Sequence, residues 1–266
     1  MILLNAKEVD TKSHFPDGTF ALQIQSTDLV AYGKTAKIIW KYEQESEAMA
    51  LYYIVHHLRN HSVNSITLFM PYCPNARMDR THHKYEVFTL KCFADFINAL
   101  GFSSVSILDP HSNVVPALID RCRVLSPDMY IAQAIEKIND PGLLLFYPDE
   151  GAMKRYSGMF RIPYGFGIKR RCWESGKITG LDVVCDEKIE GKNVLIVDDI
   201  CCRGGTFLHS AKALKEKGAK SVSVFCSHCE HTIFDGELLK TDFVDHVYTT
   251  DSIFFKSHDK ITVFPV

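Results

Sequence analysis

Apolar residues fall along this chain in two rhythms. Short apolar runs predict strands at Ala36–Trp40, Ser65–Met70, Ser104–Leu108, Leu143–Tyr147, Val194–Val197 and Ser221–Cys226. Between them the apolar positions recur at helical spacing, near 45–60, 87–100, 127–138 and 205–217. In the last of these Phe207, Leu208, Ala211 and Leu214 share one face, and Gly218 follows as a helix-ending glycine. Strands alternating with helices predict an α/β fold of mostly parallel sheets covered on both sides. In such sheets ligands bind beyond the carboxyl ends of the strands, so the residues just after each strand matter most. Two stretches share a layout: Ile66–Arg80 with Ser104–His111, and Leu143–Arg155 with Val194–Thr206. That predicts two α/β halves joined near 125–140, divided as 1–130 and 131–266.

Composition narrows the class without changing that picture. The 266 residues are 46% hydrophobic and 23% charged, values of a globular chain with a sizeable core. A net charge of −2 gives no field to recruit nucleic acid or a membrane surface, so neither is expected as a partner. No apolar run approaches the ~20 residues of a membrane span. The opening MILLNAKEVD lacks the basic stretch and apolar core of a secretory signal. Nine cysteines, odd in number and without framework spacing, predict reduced thiols and a cytoplasmic location.

The chemistry concentrates in NVLIVDDICCRGGTF, residues 193–207. An apolar strand ending in Asp198 and Asp199 puts carboxylates at the rim of a cleft. Carboxylates accept hydrogen bonds, which suits sugar hydroxyls or a hydrated magnesium ion. Gly204 and Gly205 allow a tight turn whose amides, with the start of the following helix, face an anion. Thr206 adds a hydroxyl. One segment can thus hold a diol on one side and a phosphate on the other, the outline of a ribose 5-phosphate. The plainer alternative is a strand–turn–helix with an acidic cap.

V-D-D-x-x-x-x-G-G-T resembles the phosphoribosyl-diphosphate loop of phosphoribosyltransferases and of ribose-phosphate pyrophosphokinases. Further stretches resemble the pyrophosphokinases alone, in their order along the chain: FPDGTFALQI (15–24), MPYCPNARMDR (70–80), LDPHSN (108–113), YPDEGAMKR (147–155) and GIKRR (167–171). The resemblance implies two phosphoribosyltransferase-like domains, each a mostly parallel sheet flanked by helices. The N-terminal one is the ATP-side pyrophosphokinase domain, and the C-terminal one carries the ribose-phosphate loop. It implies transfer of the β,γ-diphosphate of ATP to the anomeric hydroxyl of ribose 5-phosphate, with Mg²⁺ as cofactor and a homo-oligomeric assembly. By position, His111 and Asp149 are implied as magnesium ligands or their outer shell. Arg77 and Arg80 are implied to grip ATP phosphates, with Asp79 and His111 beside them. Phe15 and Asp17 are implied to face adenine from a neighbouring subunit. Lys169 and Arg171, together with His111, are implied to be catalytic, the two cations stabilising charge on the travelling phosphoryl group. A solvated charge run is the plainer reading of KRR. Asp149, Asp198, Asp199, Cys202, Arg203, Gly204, Gly205 and Thr206 are implied to hold the acceptor.

The departures from the family pattern cluster. Cys202 and Arg203 stand where an Asp-Thr pair is common, so the acceptor loop loses an acid and gains a cation. An added guanidinium suits a second phosphate. ADP-ribose has one, along with a ribose 5-phosphate and a free anomeric hydroxyl, and its product would be ADP-ribose pyrophosphate, a step in rebuilding NAD. Thr19 and Met78 replace a glutamate and a glutamine on the nucleotide side. The acceptor is therefore ADP-ribose or ribose 5-phosphate. A phosphoribosyltransferase, or an inactive regulatory relative, remains the alternative. CSHCEH (226–231) offers a C-x-x-C with nearby histidines, but without a second spaced pair it is weak as a zinc motif.

Overall fold

The computed structural model describes residues 1–24, 34–171 and 178–266, and of residues 169–171 and 178–179 the backbone only. Two compact units divide the chain, Met1–Ser126 and Pro127–Val266.

The first unit holds β1 (Ile2–Leu4), β2 (Lys7–Val9), β3 (Thr35–Trp40), β4 (Ser65–Met70), β5 (Ser104–Leu108) and β6 (Cys122–Leu125) in one sheet, ordered β2-β1-β3-β4-β5-β6. The strands from β3 to β6 run parallel, and β1 and β2 form an antiparallel edge. Alternation decides the faces: Ile66, Leu68 and Met70 are buried, while Ser65, Thr67 and Phe69 are only partly so. Helix α1 (Glu47–Asn60) turns Ala50, Leu51, Ile54, Val55 and Leu58 inward, one stripe at helical spacing. Helix α2 (Thr89–Ala99) contributes Leu90, Phe93, Ala94 and Ile97 to the same core, and the short α3 (Val115–Leu118) adds Val115.

The second unit holds α4 (Asp128–Ile138), β7 (Leu144–Tyr147), α5 (Glu150–Tyr156), β8 (Tyr164–Arg171), β9 (Ile178–Cys185), β10 (Asn193–Cys201), α6 (Gly205–Glu216), β11 (Ser221–Cys229), β12 (His246–Thr250) and β13 (Ile261–Phe264). Its sheet is ordered β13-β12-β11-β10-β7-β8-β9, parallel except for β9. The central strands read as unbroken apolar runs because helices cover both faces. Leu144, Phe146, Val194, Ile196, Val222 and Val224 pack with Phe207, Ala211 and Leu214 of α6. Among the described residues no helix is long and apolar enough to cross a membrane.

Two strand ends differ from the sequence reading. β10 does not stop at its acids but continues to Cys201, and β11 continues from Cys226 to Cys229. The cause is backbone pairing: Ile200 is opposite His228 and Cys201 opposite Cys229, so the ladder outlasts the apolar run. The KRR run forms the last three residues of β8.

Candidate functional site

Each unit gathers its chemistry at the carboxyl edge of its own parallel strands. In the first unit the loop after β4 carries Arg77, Asp79 and Arg80, and the loop after β5 carries His111 and Ser112. Asp79 joins them. Its carboxylate accepts from Arg80 Nε at 2.8 Å and Nη2 at 3.1 Å, and from the Ser112 hydroxyl at 2.7 Å. The Arg80 guanidinium, with smaller help from Ser112 and His111, holds the Asp79 carboxyl down at about 2. Asp79 is thus an anionic post that orients Arg80, and Arg77 stands exposed beside it. His111 is half-buried.

Phe15 and Asp17 sit on a tight turn in which the Thr19 N–H donates to the Asp17 carboxylate at 3.0 Å and the Thr19 hydroxyl at 2.7 Å. These bonds lower the Asp17 pKa. Thr19, a departure from the family pattern, therefore has a local role in closing the turn. Phe15 is 57% exposed, a large apolar ring facing outward.

In the second unit Asp149 follows β7 and caps α5, its carboxylate accepting from the Ala152 N–H at 3.1 Å. Asp198 and Asp199 lie on β10, the neighbouring strand in the sheet. Asp199 is buried at 3% exposure and pairs with Arg155 of α5, Nη1 to Oδ2 at 2.9 Å. Asp198 is half-buried, and burial, then the Asp199 carboxylate, with a further push from Asp149, raise its pKa well above the usual carboxylate range. Three acids therefore share one region, and Arg155 pairs with Asp199. Grouped carboxylate oxygens fit a hard divalent cation, which favours carboxylate and water ligands.

The loop after β10 turns through Gly204, at φ +78°, a left-handed conformation that suits glycine. A side chain there would also collide with Leu238, 2.7 Å from an added Cβ. Gly236 supports the loop from behind; a Cβ on it would lie 2.0 Å from the Arg203 carbonyl oxygen. Helix α6 begins at Gly205, so its first N–H groups and the half-buried Thr206 face the loop. Cys202 is half-buried and the Arg203 side chain exposed. A cavity of about 590 Å³ starts at Gly205 and Thr206. It follows α6 past His209, Ser210 and Lys212, with Leu181 of β9 on another wall.

The structure thus groups Arg77, Asp79, Arg80 and His111 in one unit, and Asp149, Asp198, Asp199 and the 202–206 loop in the other. The side chains of Lys169 and Arg171 lie outside the described residues. Sequence reasoning missed Ser112, Arg155 and Gly236 as supports. Arg155 closes the YPDEGAMKR motif, but its partner is 44 positions away and no spacing rule reaches it.

Comparison with known proteins gives a consistent answer. Residues 5–101 match the N-terminal domain family of ribose phosphate pyrophosphokinase, and residues 168–257 match the phosphoribosyl transferase domain family. The ribose-phosphate pyrophosphokinase of Mycoplasma pneumoniae is 27% identical, across 96% of this chain and 80% of its own. That of Campylobacter jejuni is 29% identical, across 90% and 77%. In fold, the chain is similar to the crystal structure of phosphoribosylpyrophosphate synthetase from Mycobacterium smegmatis. The TM-score is 0.68 at 22% identity, covering 82% of this chain and 73% of that one.

Proposed function

This chain belongs to the ribose-phosphate pyrophosphokinase family, and from that premise we propose that it moves the β,γ-diphosphate of ATP onto the anomeric hydroxyl of a ribose 5-phosphate moiety. The anomeric oxygen attacks the β-phosphorus. The bond from that phosphorus to the α,β-bridging oxygen breaks, AMP leaves, and the hydroxyl proton passes to solvent or a base. The observation that carries the reading is the acid cluster set against the helix-opening loop, since one patch then meets a diol and a phosphate.

Asp198 accepts from the ribose hydroxyls, and Asp199, held by Arg155, keeps the strand end in register for it. The amides around Gly204 and Gly205, with Thr206, receive the 5-phosphate. Arg77 and Arg80 hold the ATP phosphates, Arg80 aimed by Asp79. Lys169 and Arg171 stabilise charge on the transferring group, and Phe15 and Asp17 contact adenine. Asp149 in the second unit and His111 in the first are each proposed as a contact for Mg²⁺, which would offset the polyphosphate charge. Active assembly is as a homo-oligomer in the cytoplasm.

A larger acceptor, ADP-ribose, is favoured by two features. Arg203 places a guanidinium beside the phosphate loop, where a second phosphate would pass. The cavity along α6 continues from Thr206 and carries His209 and Lys212, within the size range of nucleotide pockets. The test is incubation with ATP and Mg²⁺ plus ribose 5-phosphate or ADP-ribose, followed by chromatography. Acceptor-dependent AMP with a diphosphorylated product is expected, faster with ADP-ribose. AMP with neither acceptor refutes the activity; AMP with ribose 5-phosphate alone refutes the larger acceptor.

A further inference from the structure

Three thiols meet inside the second unit, and diphosphate transfer uses none of them. Cys201 ends β10, and Cys226 and Cys229 lie on β11. Their sulfur atoms all fall within 4.8 Å of one another. Exposure is 1% for Cys201 and 0% for the other two.

Their convergence departs from simple strand geometry. Side chains alternate between faces along a strand, so Cys226 and Cys229, three positions apart, belong on opposite sides. Yet both pack in the cluster that holds Val222 and Val224, and Cys201 joins the cluster of Val194 and Ile196. Alternation breaks in both strands at the same level. The ladder runs to Asp198–Cys226 and resumes at Ile200–His228 and Cys201–Cys229. The paired strands change face together, which delivers three sulfurs to one point. This also supplies the third ligand that the C-x-x-C lacked in the sequence.

We propose that Cys201, Cys226 and Cys229 form a structural site for a thiophilic d¹⁰ cation, Zn²⁺ or Cu⁺. Three sulfurs without a carboxylate or imidazole in the cluster select a soft ion and reject Mg²⁺. On binding, three S–H bonds break, three protons leave to solvent, and three metal–thiolate bonds form. The residual charge is −1 with Zn²⁺ and −2 with Cu⁺, so a low-dielectric core favours zinc on charge. Geometry favours Cu⁺, which three sulfurs can satisfy, whereas Zn²⁺ takes four ligands. The Thr249 hydroxyl lies 3.7 Å from the Cys226 sulfur and offers an oxygen close to the cluster. Such an ion would fasten Cys201, the residue directly before the phosphate loop, to β11. The Glu230 N–H already donates to the Cys201 carbonyl at 2.8 Å across the same strand ends.

The test is metal analysis and X-ray absorption on the full chain. The protein is stripped with a chelator under reducing conditions and reloaded with Zn²⁺ or Cu⁺ in separate arms. One equivalent of one ion per chain, with a coordination shell dominated by three sulfurs, is expected. Cys229→Ser should then lose at least tenfold in affinity, and Cys92→Ser, altering an exposed thiol, should lose none. Whether or not Cys229→Ser folds, the absorption spectrum of the unaltered protein is decisive. Below about 0.1 equivalent in both arms, or a shell dominated by oxygen and nitrogen, overturns the site.

Discussion

Replacing Arg155 by methionine keeps most of the side-chain volume and removes the cation that faces Asp199. The two groups are 2.9 Å apart, with side-chain exposures of 28% and 4%. At an effective dielectric of about 20 their attraction is roughly 6 kcal/mol. Desolvation offsets much of that, and removing one partner of a fully buried pair costs about 3–5 kcal/mol. The exposure of Arg155 argues for the low end, so about 3 kcal/mol is expected for Arg155→Met. Part of this comes from the Tyr156 ring, 5.7 Å from the guanidinium carbon. Asp199→Asn removes the charge that would be stranded, so the double variant should recover about 2 kcal/mol. Urea unfolding followed by circular dichroism on all four proteins gives the coupling energy directly. A coupling below about 0.5 kcal/mol, the value of an exposed pair, would refute the claim that Arg155 anchors the acid strand.

Asp198→Asn should stabilise the ligand-free protein at pH 7 by about 1–2 kcal/mol while cutting AMP formation about 100-fold. The sign follows from the raised pKa: this carboxyl favours the fold below its unfolded pKa and loses that contribution as pH rises toward its folded value. The gain should therefore vanish near pH 4, and a loss of stability at pH 7 would sink the idea. Gly236→Ala forces the loop to yield, since the new Cβ would sit 2.0 Å from the Arg203 carbonyl. Acceptor KM should rise about tenfold, with about 1–3 kcal/mol of destabilisation, and an unchanged KM contradicts the support role. Arg203→Met should raise KM for ADP-ribose about 10- to 100-fold, the value of a charged hydrogen bond, and barely alter ribose 5-phosphate. Equal effects on both acceptors would remove Arg203 as a discriminator.

The parts of the molecule legible in the sequence are those where side chains set the structure. β4 and β5 fall at the expected residues because burial on a covered sheet demands apolar runs. Where backbone pairing decides, legibility fails. Asp198 to Cys201 and Ser227 to Cys229 read as post-strand residues yet extend the ladder. The β1–β2 hairpin was also hidden: its strands span Ile2–Leu4 and Lys7–Val9, and its turn places Asn5 and Ala6 at positive φ without a glycine. In the site, the contiguous loop 202–206 was readable because turn chemistry is local. The Arg155–Asp199 pair, the Gly236 buttress and the third cysteine each join distant segments, which spacing rules do not see.

The two adjacent acids of β10 lie close enough for their side chains to hydrogen-bond, yet they differ in their other partners. Asp199 is directed to Arg155 on α5, where an ion pair settles its charge. Asp198 is left among carboxylates: Asp199 beside it and Asp149 opposite, with its Oδ1 accepting the Asp199 N–H at 2.9 Å. Of the two neighbouring carboxyls, Asp199 holds the scaffold through Arg155 and Asp198 meets the ligand. The unfavourable charge on Asp198 in the ligand-free protein is then relieved on binding. Sugar hydroxyls donate to it and a divalent cation offsets it, so the acceptor and its metal should bind better together than separately.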